Sequence, residues 1–391
     1  QFDVSLRGKP IGVTAANGRT CIISASREAK KFGVKNVTRV WEARKICPQI
    51  ITIPAHFEKY WEITQKFLDI CKDYSPYVEL FSLDEVFIDL SSTENLFGGR
   101  LEVIRKIKER INDEIGEYIT VSVGLSHNKL LSKLASGMNK PQGFVEIKPE
   151  DIEKIYSKIE LTDFCGIGER VRFRLNEIGI DTPLQLRAAS LDALIEEFKD
   201  VEGHFLKNLG QGIDERRVVP YYLPSETKSV GRNYCLPKNE YDQRIILQNV
   251  YELCEEVGIK LRRINKKART IGLYLGGTNS FHGRKTISGY IDSGKDIFGV
   301  CKSLYDEWDV VMVRQVGIWA GNLQDSANPT ISMFDAIEKA PKIQKVMDEI
   351  NGRFGDHTIR NGFIWNSPNL KTVPNGYMAD RFERQKLVQP F

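Results

Sequence analysis

No two of the seven cysteines, at positions 21, 47, 71, 165, 235, 254 and 301, are spaced C-x-x-C, and the five histidines do not gather beside them. That pattern speaks against a disulfide framework, a structural zinc site and thiol redox chemistry, and it favours a reducing cytosol. No apolar stretch approaches the ~20 residues of a membrane span, and no signal-peptide pattern opens the chain. A cytoplasmic protein is therefore expected. Acid is missing altogether from Gly258 to Gly289, where Lys260, Arg262, Arg263, Lys266, Lys267, Arg269, Arg284 and Lys285 stand. It is scarce in the first 45 residues, where ten cations face only Asp3, Glu28 and Glu42. The formal net charge is just +4, with 41% hydrophobic and 28% charged residues, so these are basic blocks in an otherwise balanced globular chain. Blocks of this kind are either solvated faces or seats for a polyanion, meaning a nucleic-acid backbone, nucleotides or both. At 391 residues the chain has room for two to four domains.

Alternation in Tyr77-Val78-Glu79-Leu80-Phe81 and Val86-Phe87-Ile88-Asp89-Leu90 predicts two short strands joined by a turn at Ser82-Leu83-Asp84-Glu85. The adjacent Asp84 and Glu85 are either a wetted hairpin tip or a pair of hard-oxygen ligands for divalent cations. Helical spacing of Leu101, Ile104, Ile107, Ile111 and Ile115 stops at Gly116, and 118–123 reads as a strand. Ser126 is a candidate N-cap for a helix carrying Leu130, Leu131 and Leu134, and 144–147 reads as a further strand. From 148 to 222 short helices are predicted at 151–158, 168–178, 191–198 and 203–212. Among them, Phe164-Cys165-Gly166-Ile167-Gly168-Glu169-Arg170 sets a G-I-G turn before a helix start, where backbone N–H groups are open to an anion. With the later Gly179-Ile180 connection this matches a helix-hairpin-helix module, and Gly166, Gly168 and Arg170 become candidate DNA contacts.

After a linker at 223–229 the predicted order is β-α-β-β-α-β, the ferredoxin-like arrangement. The acid-free run covers the end of its first helix and much of its central strand pair. Arg232, Arg262, Arg263, Lys266, Lys267, Arg269 and Arg284 are thus candidate DNA-backbone ligands. Beyond 325 one amphipathic helix (Ile343, Val346, Met347, Ile350) interrupts a looser tail. Near the start, Ser24, Arg27 and Lys30 recur at spacings of three and would lie on one side of a helical first turn. Two cations and a hydroxyl there suit a triphosphate. Lys140, in a Lys-Pro-Gln-Gly turn, is a further phosphate candidate.

L-R-G-K-P at 6–10, S-L-D-E-V-F-I-D-L at 82–90, V-S-V-G-L-S-H-N-K-L-L-S-K-L-A-S at 121–136, K-P-Q-G at 140–143 and C-G-I-G at 165–168 stand in one chain. As an ordered set they resemble a Y-family translesion DNA polymerase of the DNA polymerase IV and UmuC type, a likeness running from residue 6 to about 365. The resemblance implies an α+β multidomain polymerase: fingers at 1–55, palm at 56–147, a helix-hairpin-helix thumb at 148–222 and a little finger at 230–324. It also implies catalytic, metal-ligating Asp84 and Glu85, two Mg²⁺ ions (Mn²⁺ as an alternative) and deoxynucleoside triphosphates bound by Ser24, Arg27, Lys30 and Lys140. Primer–template DNA as partner, low fidelity and a monomeric enzyme follow from the same likeness.

Two departures stand out. The family usually has tyrosine where Arg27 stands and arginine where Lys30 stands; lysine keeps the charge but not the bidentate fork, which Arg27 can supply from one turn earlier. The chain as given also begins at Gln1-Phe2-Asp3, after the strand that carries the family's first metal-ligating aspartate and its ribose-screening aromatic. Asp3 lies outside any apolar strand and is a poor substitute, so the expected reading is a true N-terminus further upstream. Thr330-Ile331-Ser332-Met333-Phe334 is similar to the sliding-clamp peptide of bacterial polymerases, with Ile331, Met333 and Phe334 as anchors. The alternatives are a catalytically incomplete relative that docks DNA and a clamp, and a helix-hairpin-helix glycosylase or nuclease. The last accounts for neither the acid hairpin nor the triphosphate cluster.

Overall fold

β-branched and small apolar residues place the first strands, and their alternating burial shows which face each presents to a core. The computed structural model describes residues 1–14, 21–223, 226–326, 341–355 and 358–365. These form two units, one of Gln1–Arg7 with Glu58–Leu223 and one of Gly8–Phe57 with Pro224–Phe391. In the second unit, β1 (Ile11–Thr14) pairs antiparallel with β2 (Ile22–Ala25) and parallel with β3 (Ile51–Pro54). Helices α1 (Arg27–Lys31) and α2 (Val40–Ile46) close this small sheet over Ile22, Ala29, Val34, Ala43 and Cys47, all fully buried.

In the first unit, α3 (Phe57–Lys72) leads into the hairpin β4 (Val78–Ser82) and β5 (Glu85–Ile88), followed by α4 (Arg100–Arg110). Val103, Ile107 and Ile111 pack with Ile70 and Tyr74, and Ile88 of the hairpin leans on this cluster. The helix 100–115 anticipated from the sequence is α-helical to Arg110 and finishes as one wide π-turn, Ile111–Ile115. The strand expected at 118–123 starts later. β6 (Val123–Ser126) begins where β7 (Phe144–Ile147) offers a parallel partner, in register Val123↔Phe144 through Ser126↔Ile147.

Between β6 and β7 runs α5 (Lys129–Met138). Its N-cap is Asn128, whose Oδ1 accepts the Leu131 N–H at 2.9 Å, and not Ser126, whose hydroxyl donates to Ile147 O at 2.6 Å. Strand and helix touch at Gly124. A β-carbon there would sit 2.0 Å from Ser132 O and 2.4 Å from Ser136 N, so only glycine allows the backbones this close. The contact sinks Leu130, Leu131, Leu134 and Ala135 into a core shared with Ile147, Ile152, Tyr156, Leu161, Phe164, Leu175, Leu186, Leu194 and Leu206. Each large apolar side chain fully buried this way contributes about 1.5–3 kcal/mol. The core is continuous across residue 147, through α6 (Ile152–Tyr156), α7 (Glu169–Glu177), α8 (Pro183–Ala188) and α9 (Leu191–Gln211). The two helices expected at 191–198 and 203–212 are both present within this range, separated by a break at Lys199, whose φ of 69° and ψ of 173° are not helical.

Residues beyond the linker form the antiparallel sheet β8 (Ser229–Glu240), β9 (Lys266–Gly277), β10 (Phe281–Ile291) and β11 (Val313–Asp325). Helices α10 (Gln243–Arg263) and α11 (Gly294–Tyr305) cover one face. The element order is the βαββαβ read from the sequence; the strand order is β10-β9-β11-β8, antiparallel throughout, with β11 between β8 and β9. Ile271, Leu273, Leu275, Val316 and Ala320 point into the core with Val250, Val257, Leu261 and Ile297. After the undescribed 327–340, α12 (Pro341–Phe354) and a short 3-10 turn at Gly362–Ile364 pack on α10, where Gln248 Nε2 donates to Phe363 O at 2.8 Å. Among the described residues no helix is long and apolar enough to cross a membrane.

Overpacking at Gly124 tests the core geometry. Gly124→Ala forces the strand off α5 and is expected to lower stability by about 1–3 kcal/mol or more, measured as the shift in urea midpoint at unchanged m-value.

Candidate active site and nucleic-acid surface

The hairpin tip is shaped by a register shift between Leu80 and Ser82, after which Ser82 faces Glu85 and only Leu83 and Asp84 remain in the turn. Such a bulge re-aims the side chains beyond it. Asp84 is held from within the turn, the Ser82 hydroxyl donating to its Oδ1 at 2.6 Å. The tip is tied to α3 by the buried Thr64, whose hydroxyl donates to Leu83 O at 2.5 Å. Cross-strand partners put Glu79 opposite Phe87, so Glu79, Glu85 and Phe87 share one face, while Val78, Leu80, Val86 and Ile88 line the other.

The face with the acids meets α5. Lys133 Nζ pairs with Glu85 Oε1, and one helical turn earlier Lys129 Nζ pairs with Glu79 Oε2 at 2.6 Å. Lys129 also lies 5.3 Å from the centroid of the Phe87 ring and donates to Arg217 O at 3.2 Å, and the Val219 N–H donates to Glu79 at 2.8 Å. Tyr221 N donates to Val78 O at 2.7 Å, so the segment leaving the helical part runs along the hairpin. Asn128 Nδ2 donates to Gly212 O at 2.8 Å and ties the helix start to the same segment. Sequence reasoning did not single out Glu79, Lys129 or Lys133. The available signal was the i, i+4 spacing of the two lysines, off the stripe made by Leu130, Leu131 and Leu134.

The proposed phosphate ligands stand on other elements. Ser24 is an exposed residue of β2 rather than part of a helix, while Arg27 and Lys30 are exposed on α1. The N-cap of α1 is Ser26, whose hydroxyl accepts the Ala29 and Ile11 N–H groups at 3.2 and 3.0 Å and donates to Lys9 O at 3.1 Å. Lys140 is exposed just past α5, in a turn braced by Lys108 Nζ donating to Gln142 O at 2.5 Å. Asp3 is taken up locally, accepting from the Ser5 N–H at 2.9 Å and the Ser5 hydroxyl at 2.6 Å. In the helical part, Gly166 has φ +115° and Gly168 caps α7, with Arg170 exposed in its first turn; Phe164 and Ile167 anchor the turn in the core.

Many of the candidate DNA-binding cations are engaged inside their own unit. Arg232 Nε lies 2.8 Å from Glu256 Oε2, with both side chains about nine-tenths buried. Arg262 holds Asp348 of α12 through Nε at 2.5 Å and Nη2 at 2.8 Å, and donates to Asp292 O at 2.6 Å. Beside it, burial raises the Glu255 carboxyl above its ordinary range, and the Arg262 charge opposes that rise. Lys266 pairs with Asp325 at 2.8 Å and Glu226 at 3.4 Å, and Arg269 Nε donates to Ile287 O at 2.6 Å. Arg263 and Arg284 are exposed, and Lys267 is half-buried.

On the sheet face away from the helices, Arg284, Gly272, Trp319 and Gly231 form one row across four strands, and His282, Tyr274, Gly317 and Asn233 the next. Trp319 lies over Gly272, where a β-carbon would come within 2.0 Å of its indole nitrogen. The floor is therefore nearly flat, with Arg284 at one edge. Ile331, Met333 and Phe334 lie outside the described residues.

The profile of the impB/mucB/samB family matches residues 1–137, and that of the impB/mucB/samB family C-terminal domain matches residues 227–333. A DNA polymerase IV of Moorella thermoacetica is 32% identical over 368 residues, which cover 92% of this chain and 90% of the relative. A DNA polymerase IV of Pelotomaculum thermopropionicum is 33% identical over 360 residues, covering 90% and 89%. Among solved structures, a Y-family DNA polymerase chimera of Dbh and Dpo4 superposes with a TM-score of 0.69 at 25% identity, over 82% of this chain and 94% of that one. An insertion ternary complex of Dbh DNA polymerase gives a TM-score of 0.53 at 25% identity, with the same coverage. The chain belongs to the Y family of translesion DNA polymerases, and its enzymatic class is DNA-directed DNA polymerase.

Because the Lys129–Glu79 pair is nearly enclosed, with side chains 11% and 18% exposed, removing one partner strands the other. Lys129→Ala is expected to cost about 3 kcal/mol, read by denaturant unfolding. Lys129→Ala/Glu79→Gln together should recover part of the loss.

Proposed function

We propose that the enzyme transfers a nucleotidyl group from a deoxynucleoside triphosphate to a primer 3′-hydroxyl on template DNA, with Asp84 and Glu85 holding two Mg²⁺ ions. The observation that carries this reading is the mounting of two adjacent carboxylates at a tip fixed by Thr64 and Ser82. Among the described residues no group of three or more His, Cys, Asp or Glu side chains is arranged to hold a metal. Two carboxylates still fit Mg²⁺, which is commonly bound by one or two carboxylates and completes its shell with water and substrate phosphates. When bound, such ions neutralise charge and polarise the reacting oxygens of an in-line displacement. The protein's own share is positional, as phosphoryl transfer demands. Ser82 orients Asp84, and Lys133 orients Glu85.

Arg27, Lys30 and Lys140 are assigned to the triphosphate on the strength of their exposure and charge, and Ser24 for its exposed hydroxyl. The Gly166–Gly168 turn with Arg170 is assigned to the DNA backbone, as are Arg263, Lys267 and Arg284. Arg232, Arg262, Lys266 and Arg269 are assigned to holding that surface in shape, since their charges are already paired or hydrogen-bonded. A cytoplasmic, monomeric enzyme completes the proposal.

Asp84→Asn or Glu85→Gln is expected to lower primer extension by about 10²–10³-fold or more, the scale of losing a group that stabilises developing charge. Primer–template affinity should remain near that of the parent, and parental extension rates in either variant would refute the assignment. Arg284→Ala with Lys267→Ala should weaken binding independently of sequence. The log–log salt slope should flatten by about 0.9 for each phosphate that is no longer neutralised, and an unchanged slope would clear both residues of any role at the backbone.

A further inference from the structure

Two lysines of α5 reach two acids of the hairpin, but the pairs differ in kind. Glu79 also accepts the Val219 N–H, and Lys129 also donates to Arg217 O, so that pair is saturated and nearly enclosed. The side chains of Glu85 and Lys133, 32% and 25% exposed, have only each other as hydrogen-bond or ion-pair partners among the described residues. Lys133 is no drifting surface lysine. Its backbone is fixed between Leu131 and Leu134, buried on either side, and by the Gly124 contact against Ser132. Asp84, next to Glu85, has one oxygen engaged by Ser82. The ammonium of Lys133 therefore sits on a carboxylate oxygen at the site proposed above for divalent cations.

We propose that Lys133 is a positioning residue that acts as a resident counter-ion for Glu85. It keeps the carboxylate aimed, and it opposes the loading of a divalent cation until substrate phosphates supply a competing anion for its ammonium. The physical basis is simple. A fixed positive charge at hydrogen-bond distance from a ligand oxygen both occupies that oxygen and repels a second cation, and the cost falls only when an anion enters to share the lysine. Metal entry is thereby linked to nucleotide arrival. This inference rests on the assignment of Asp84 and Glu85 as metal ligands.

The test uses the full chain and Mn²⁺ alone, with neither DNA nor nucleotide, and reads free Mn²⁺ by electron paramagnetic resonance. Lys133→Ala is expected to bind Mn²⁺ about tenfold more tightly than the parent, and Lys133→Arg should bind like the parent. A lysine that merely supported the fold would shift affinity the other way, because its loss loosens the site. Circular dichroism of each variant identifies any that fail to fold, and in that case Lys133→Gln takes the place of Lys133→Ala. Asp84→Asn/Glu85→Gln separates the two failures. If that variant loses Mn²⁺ while Lys133→Ala binds no tighter than the parent, the counter-ion role alone is overturned. If it binds Mn²⁺ like the parent, the acids are not the ligands and both readings fall.

Discussion

The contact of β6 with α5 at Gly124 sets the geometry of the palm. Because Ser132 O and Ser136 N stand where a side chain would begin, the helix lies against the strand at a distance no other residue permits. At that depth one face of α5 drives three leucines into the core shared with α6 to α9, while Lys129 and Lys133 come level with Glu79 and Glu85. The same helix thus anchors the acid-bearing hairpin to the helical part of its unit. Asn128, through Gly212 O, and the 217–221 segment, through Lys129, Glu79 and Val78 O, reinforce the link.

Charge balance explains why this arrangement is tolerable. Asp84 and Glu85 are chain neighbours and Glu79 shares a face with Glu85, so the hairpin would otherwise hold three carboxylates in mutual repulsion. Two lysines, four residues apart, meet two of them. Exposed ion pairs contribute only about 0–1 kcal/mol each, so the half-exposed Lys133–Glu85 pair matters for where the carboxylate points more than for stability. The enclosed Lys129–Glu79 pair belongs to the other regime, where an unmatched partner is costly.

The hairpin and its acids were legible because period-two alternation survives in ten residues, and the βαββαβ order was legible because each element is long and strongly patterned. Boundaries were misplaced where a partner, not a propensity, decided them. Thr120 and Val121 favour a strand, but pairing with β7 starts only at Val123. Ser126 looks like a cap, but Ile147 O claims its hydroxyl. Beyond its spacing of four from Lys129, Lys133 had no signature, since its meaning depends on a residue 48 positions earlier in the chain. The core shared across residue 147 was illegible for the same reason, because contacts between Leu131 and the later helices leave no local trace.

The acid-free run from Gly258 to Gly289 carries the same lesson into electrostatics. Read along the chain it is a block of uncompensated cations; in space Glu226, Glu256, Asp325 and Asp348, all from outside the run, come to meet the basic residues in and around it. A guanidinium committed to two carboxylate oxygens and a carbonyl, as Arg262 is, has its planar fork filled and has little left for a phosphate. Arg284 sits instead at the margin of a floor where Gly272 and Gly231 lie against Trp319 and Gly317 lies against Asn233 and Tyr274. The cations of this unit therefore divide by the reach of their partners. Those met by distant acids brace the sheet and α12, while Arg284 stands exposed at the margin of the open face.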